Sequence, residues 1–333
     1  MGLPKFSFSL PVYNEETRLE RCLESILAQD YPKDNIEILV VDGGSTDRTK
    51  DIAGRFECVR LFDNHKKLAD FGAKISAREA NGDLFVIFAA DNELADKDYL
   101  KTVAALFMKN PGLSALWGRM VASDDDAPLN KYYALIQNDP LSFFVNSNLR
   151  HYLKGAKRED TGIGGAYIFA VSADMPLIWG ANGLVYRTEY VREIILQGGF
   201  IADNDVFQTM IESGHNIVAY LPQLRVYHRH VKRISDWVKK WQRNYIEHFL
   251  TKREERNLRW AFDKHFGAKL AFWLIYSGLP VFSIAHSIYL ALRQRSVYWL
   301  YHPLMSFIQM ITYLRLTIFT KDGRRFIKRL ILK

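Results

Sequence analysis

Cysteine is scarce: Cys22 and Cys58 are the only two in 333 residues, and neither has metal-ligand spacing. That excludes a disulfide framework and a cysteine-based zinc site, and it suits a reduced compartment. The start of the chain also lacks an apolar helical run. Lys5 is followed at once by a short strand pattern, so no signal peptide is read and the main domain is expected in the cytoplasm. Acid is what the last quarter lacks. Thr251 to Lys333 carries 15 Lys and Arg against four Asp and Glu, whereas Met1 to Leu250 carries 30 against 33. A basic, aromatic-rich tail after a neutral-to-acidic domain implies an anionic partner, nucleic acid or a membrane surface. The positive charge is interleaved with long apolar runs rather than set on a polar face, which argues against nucleic acid.

What is present centres on Ile38-Leu-Val-Val-Asp-Gly-Gly-Ser-Thr-Asp47. The apolar run reads as a strand buried on both faces, Gly43-Gly44 as a sharp turn, and Ser45, Thr46 and Asp47 as N-cap candidates for a helix over 49–56. Asp42 ends the strand, where it either caps the turn or binds a ligand. Before it, Phe6 to Tyr13 reads as a first strand, and Asn14 as the cap of a helix over 15–29. After it come a strand near 58–62, a helix over 69–80 and a strand over 84–88 that runs into Ala89-Ala-Asp-Asn-Glu-Leu94. The β-α-β-α rhythm predicts a parallel sheet with Asp42 and Asp91 on one edge, where open α/β sheets bind ligands.

Pro11-Val-Tyr-Asn-Glu15, Val41-Asp-Gly-Gly-Ser-Thr-Asp47 and a strand ending in an acidic cluster together resemble the GT-A glycosyltransferases of family 2, over roughly Phe6 to His230. The resemblance implies an α/β fold: a Rossmann-like, mostly parallel sheet flanked by helices, followed here by C-terminal membrane-associated helices. It implies a nucleotide-sugar donor whose nucleotide is held by Pro11, Tyr13, Glu15 and Asp42. It also implies Mg²⁺ or Mn²⁺ on the donor diphosphate, bound through Asp91, where the cation offsets charge on the leaving group. The sequence departs from the family at Ala89, where the Asp-x-Asp pattern would put its first acid; Asp91 remains, with Glu93 two residues on.

Further along, the family's catalytic base falls on Asp203 in Ala202-Asp-Asn-Asp205, although both acids also suit N-caps. Asn182, in Gly180-Ala-Asn-Gly183, matches a segment that reaches the sugar and acceptor; ordinary turns flanking a strand explain the same glycines. His228, in Val226-Tyr-His-Arg-His230, is read as a contact to the metal or diphosphate, or as a packed histidine. Asp124-Asp-Asp126 reads as a solvated loop, and Tyr132-Tyr133 and Phe143-Phe144 as groove or packing residues.

The predicted organisation is a catalytic domain over 1–232, amphipathic basic juxtamembrane helices over 233–268, and two hydrophobic membrane helices with a basic end over 269–333. The apolar runs Leu270 to Leu292 and Val297 to Phe319 read as a hairpin with both ends cytoplasmic. Pro280, Pro303 and Arg315 keep interfacial or re-entrant helices open, and a soluble helical domain is the plain alternative. The expected function is that of an inverting glycosyltransferase, attached to the cytoplasmic face of a membrane, acting on a lipid-linked or membrane-proximal acceptor in glycan or polysaccharide biosynthesis. A polyprenyl-phosphate sugar synthase and a non-catalytic nucleotide-sugar-binding protein are the alternatives.

Overall fold

The computed structural model describes residues 2–145, 148–177, 183–197, 203–251, 256–257 and 265–331. The chain divides into two units, Met1–Val121 with Asn148–Arg229, and Ala122–Ser147 with His230–Lys333. Residues 122–147, however, group with the tail, and the segments 233–268 and 269–333 share that one unit.

The first unit is a ten-stranded sheet with flanking helices. Its strands are β1 (Phe6–Val12), β2 (Ile36–Asp42), β3 (Val59–Asp63), β4 (Leu84–Ile87), β5 (Asn92–Leu94), β6 (Ala115–Val121), β7 (Lys157–Asp160), β8 (Gly165–Ala170), β9 (Leu184–Arg187) and β10 (Ile217–His228). Every residue of β2 is buried, as a strand covered by helices on both faces requires. β1 pairs in parallel with β2 and β4, and β2 with β3. The register sets Val12 beside Asp42 and Asp42 beside Asp63, so three strands end together.

Beyond β4 the sheet turns mixed, which corrects the expectation of a mostly parallel one. β9 lies antiparallel between β4 and β6. β10 runs parallel to β6 but antiparallel to β8 and β5. The hairpin of β7 and β8 is antiparallel by construction, and its turn is the Thr161–Gly164 segment, where Thr161 N–H bonds the Gly164 carbonyl at 3.0 Å. Those glycines therefore make a hairpin turn.

At the sheet end away from the β2 turn, Glu37 is buried. It accepts from Ser7 Oγ, from the Asn81 N–H and, at 3.1 Å, from the Gly82 N–H, with the Arg60 guanidinium 3.3 Å away. Burial raises its pKa, but the hydrogen bonds outweigh burial and hold the carboxyl below its ordinary range. A depressed folded-state pKa adds stability above the unfolded value and loses it as pH falls through the folded one. Glu37→Gln is expected to cost about 1–3 kcal/mol at neutral pH. The gap to the wild type should close as pH drops below about 4, which thermal melting across pH 7 to 3 checks; a constant gap refutes it.

The second unit is helical. Its inserted helices Pro128–Ile136 and Pro140–Val145 carry the two aromatic pairs noted in the sequence, and both pairs pack. Tyr132 is fully buried, with its hydroxyl 2.8 Å from His302 Nδ1 and its ring against Trp237 and Trp299. Phe144 lies 4.4 Å from the Tyr276 ring centre, and Phe143 sits on Trp299 and His302. The helix Ile234–Asn244 turns Trp237 and Trp241 inward, so these two side chains belong to this core. The run Leu270 to Leu292 is not one helix either. It breaks between Phe266–Gly278 and Pro280–Gln294 with a bend of 91°. Pro280 lacks the N–H needed to continue the helix, and its ring clashes with the preceding turn. No single helix among the described residues is long and apolar enough to cross a membrane; the bent pair passes by length and composition only.

Candidate functional site

The loops after β1 and β2 are tied together at the ligand edge. Asn14, in the left-handed region at φ 54°, accepts from the Thr46 N–H at 2.9 Å and donates its own N–H to Ser45 Oγ at 2.8 Å. Glu15 N–H donates to Thr49 Oγ1 at 2.7 Å and Glu16 N–H to Asp47 Oδ2 at 3.1 Å. Residues read as helix caps thus cap the neighbouring loop instead. Asp47 alone keeps the predicted role as well, accepting the Thr49 N–H at 3.0 Å. The helix expected over 15–29 begins only at Leu19, and that over 49–56 ends at Ala53.

Asp42 is wholly buried and accepts from the Gly44 and Ser45 N–H groups at 2.9 and 3.0 Å, with Lys50 Nζ 3.4 Å away. Gly44 is at φ +86°, a conformation other residues adopt only with strain. Asp42 therefore shapes the turn, and the solvent-facing acid beside it is Asp63, bonded to the same Lys50 at 2.7 Å and held by it below the usual carboxylate range. Asp63 was not singled out from the sequence; its register with Asp42 is the signal. Of the other nucleotide candidates, Tyr13 is 56% exposed and Pro11 packs near Gly72, whose Cβ position lies 3.1 Å from it.

Asp91 sits in the turn between β4 and β5, and the antiparallel pairing of β5 with β10 sets Asn92 opposite His228. That brings His228 Nε2 to 3.3 Å from Asp91 Oδ2, while Nδ1 lies 3.0 Å from Met120 Sδ. Both residues are nearly buried. The two acids expected to share the edge are thus not equivalent: Asp91 gains a histidine, and Asp42 a turn. Around Asp91 stand charges that sequence reasoning missed. Arg18 forks onto Glu15 at 2.7 and 2.8 Å and reaches 3.9 Å from Asp91. Burial pushes the Glu15 carboxyl up, with Arg18 pulling against it. Arg229 Nε bonds Glu93 at 2.8 Å, so Glu93 is engaged by a guanidinium. At Ala89, where the first acid is missing, the carbonyl accepts the Asn92 N–H at 3.0 Å and the Cys22 thiol at 3.6 Å.

Asp203 is the first residue of the helix Asp203–Glu212. Asp205 is buried, as a structural role for it requires. Asn182 lies outside the described residues. The adjoining Gly183, at φ +71°, accepts the Tyr99 hydroxyl at 2.7 Å, and a Cβ there would meet Tyr99 Oη and Val226 Cγ2 at 2.7 Å each. That position admits only glycine without displacement of its neighbours.

Residues 7–172 match the family model described as Glycosyl transferase family 2. Dolichyl N-acetyl-alpha-D-glucosaminyl phosphate 3-beta-D-2,3-diacetamido-2,3-dideoxy-beta-D-glucuronosyltransferase of Methanococcus voltae is 33% identical over 148 residues, 41% of this chain and 45% of that protein. Glycosyltransferase AglE of Haloferax volcanii is 47% identical over 62 residues, 19% of this chain and 20% of that one. The chain thus spans less than half the length of these curated relatives. The mannosyltransferase PcManGT of Pyrobaculum calidifontis, solved with GDP-Man and Mn²⁺, superposes with a TM-score of 0.55 at 17% identity, covering 94% of this chain and 88% of that one. TarS of S. aureus superposes at 0.50 with 16% identity, covering 97% and 91%. These structures share the fold.

Proposed function

The chain belongs to glycosyl transferase family 2, and from that premise we propose that it is an inverting glycosyltransferase. It would move a sugar from a nucleotide-diphosphate sugar to a lipid-linked or membrane-proximal acceptor, at the cytoplasmic face of a membrane. The observation that carries this is the pairing of Asp91 with His228 at the edge where β1, β2 and β4 end. Two ligand atoms on adjacent positions of one octahedral cation stand about 3 Å apart. The 3.3 Å between Asp91 Oδ2 and His228 Nε2 fits that spacing. A carboxylate suits Mg²⁺ or Mn²⁺ and an imidazole suits transition metals, so the mixed pair favours Mn²⁺. PcManGT, of the same fold, was solved with Mn²⁺ and GDP-Man, and the Methanococcus relative is named for a dolichyl-linked acceptor.

Asp91 and His228 would hold the ion, which supplies charge compensation to the departing diphosphate. Tyr13, exposed beside the interlocked loops, would lie against the nucleotide, and Glu15, fixed by Arg18, would keep that loop in place. Pro11 and Asp42 shape this pocket from behind; Asn182 is assigned to the sugar and acceptor by resemblance. Asp203, at a helix N-terminus, would accept the acceptor's proton as its oxygen attacks the anomeric carbon in line.

The test is donor hydrolysis by the purified chain over a panel of nucleotide sugars with Mg²⁺, Mn²⁺ or EDTA. Metal-dependent release of one nucleoside diphosphate is expected. A donor that binds by calorimetry yet is neither transferred nor hydrolysed under any metal supports the second reading, a non-catalytic nucleotide-sugar binder. Ala89 and the proximity of Arg18 to Asp91 favour that reading, since both weaken a cation site. Arg18→Gln is accordingly expected to tighten Mn²⁺ by up to about fivefold, given a partly solvated guanidinium; titration followed by electron paramagnetic resonance checks it, and unchanged affinity refutes it.

A further inference from the structure

Seventeen of the chain's 25 exposed large apolar side chains among the described residues lie between Phe272 and Phe319. Their distribution is reversed from that of a water-facing helix. The helix Pro280–Gln294 buries Ser283, Ser287 and Leu290 and turns Val281, Ile284, Ile288 and Leu292 outward, with Val281 74% and Leu292 75% exposed. The helix His302–Phe319 buries His302, Ser306 and Gln309 together with Met305, Met310 and Leu316, while Leu304, Phe307, Ile311, Leu314 and Ile318 form an exposed stripe. Two of the polar side chains inside are partnered: Ser287 Oγ donates to the Trp299 carbonyl at 2.6 Å, and Gln309 Nε2 to Asp139 at 2.8 Å. Buried serine, histidine and glutamine beside a few large apolar residues, with an aliphatic exterior, is the pattern of helices packed in lipid. The helix Lys321–Ile331 that follows adds exposed Lys321, Arg324, Arg325 and Lys328.

We propose that the helices between Phe266 and Ile331 form a monotopic anchor that lies in the headgroup–acyl boundary of an anionic bilayer, without crossing it. This rests on the membrane-attached reading above and states its mode. The apolar helices of 13 to 18 residues are about 20 to 27 Å long, short of a hydrocarbon core of about 30 Å. The 91° bend lays the first pair out as two arms rather than one span. Charge selects the occupant: the cationic helix complements anionic headgroups, each cation adding roughly fivefold to binding. A second copy of this chain would place that same charge against itself.

The experiment uses the full chain added to preformed vesicles of phosphatidylcholine, with or without 30 mol% phosphatidylglycerol. Flotation with the anionic vesicles is expected, weaker with the neutral ones. Arg325→Gln with Lys328→Gln should weaken anionic binding about 30-fold, and Val281→Glu with Leu292→Glu should abolish it. Because those four side chains are exposed, the fold should survive, which donor affinity by calorimetry confirms independently. External protease should leave no vesicle-protected fragment. A protected tail fragment overturns the monotopic mode. A discrete oligomer that ignores both kinds of vesicle overturns the membrane surface altogether. Donor binding or hydrolysis is read without vesicles, so failure here and failure of the proposed activity are separable.

Discussion

Asp91→Asn should lower sugar transfer by roughly 10³-fold, because a cation polarising the leaving group is worth several kcal/mol. The substitution keeps shape and removes only the charge, so the fold and the His228 contact geometry have no reason to change. Binding of Mn²⁺, followed by electron paramagnetic resonance, should fall with it. Transfer that survives while Mn²⁺ binding is lost would show that the cation is dispensable and that nearby guanidinium groups compensate the diphosphate. His228→Gln is the gentler companion: one ligand is replaced by a neutral oxygen donor, and preference should shift from Mn²⁺ toward Mg²⁺.

The second large effect is at Asp203. If the acceptor is a hydroxyl, Asp203→Asn removes its general base and should reduce kcat by about 10²–10⁴-fold with donor affinity unchanged. If the acceptor is a polyprenyl phosphate, the nucleophile is already an anion and the same variant should be nearly normal. Turnover set against donor binding by calorimetry therefore sorts the two acceptor chemistries. A loss of donor binding in step with turnover would place Asp203 in the donor pocket and refute both.

The N-terminal half of the sheet was legible because β1, β2 and β4 are buried strands that read as apolar runs closed by glycine or acid. β9 was not. Four residues, Leu184–Arg187, carry no signal that they insert antiparallel between β4 and β6, since that pairing is set by contacts between residues far apart in the chain, such as Leu84 with Arg187 and Ala115 with Tyr186. The site divides the same way. Asp91 and His228 were both linked to the metal through the resemblance, but the β5–β10 ladder that brings them together is not encoded in sequence spacing. Arg18 escaped notice because a cation in a helical approach is ordinary until its partner, on another strand, is seen. The tail misled in a different manner. Pro280 was visible as a break, yet the apolar count on both sides of it outweighed the break, and nothing within the helix Ile234–Asn244 itself shows that Trp237 packs on Tyr132 and Tyr133.

The crossed hydrogen bonds between the loops after β1 and β2 have a consequence for engineering. Asn14 serves Thr46, Ser45 serves Asn14, and Asp47 serves Glu16, so neither loop is complete alone. Grafting one of them from a homologue with a different donor preference would import donors and acceptors whose partners stay behind. The two segments form a single cassette, and a chimera that exchanges residues 13–18 should keep its shape only when residues 43–49 travel with them.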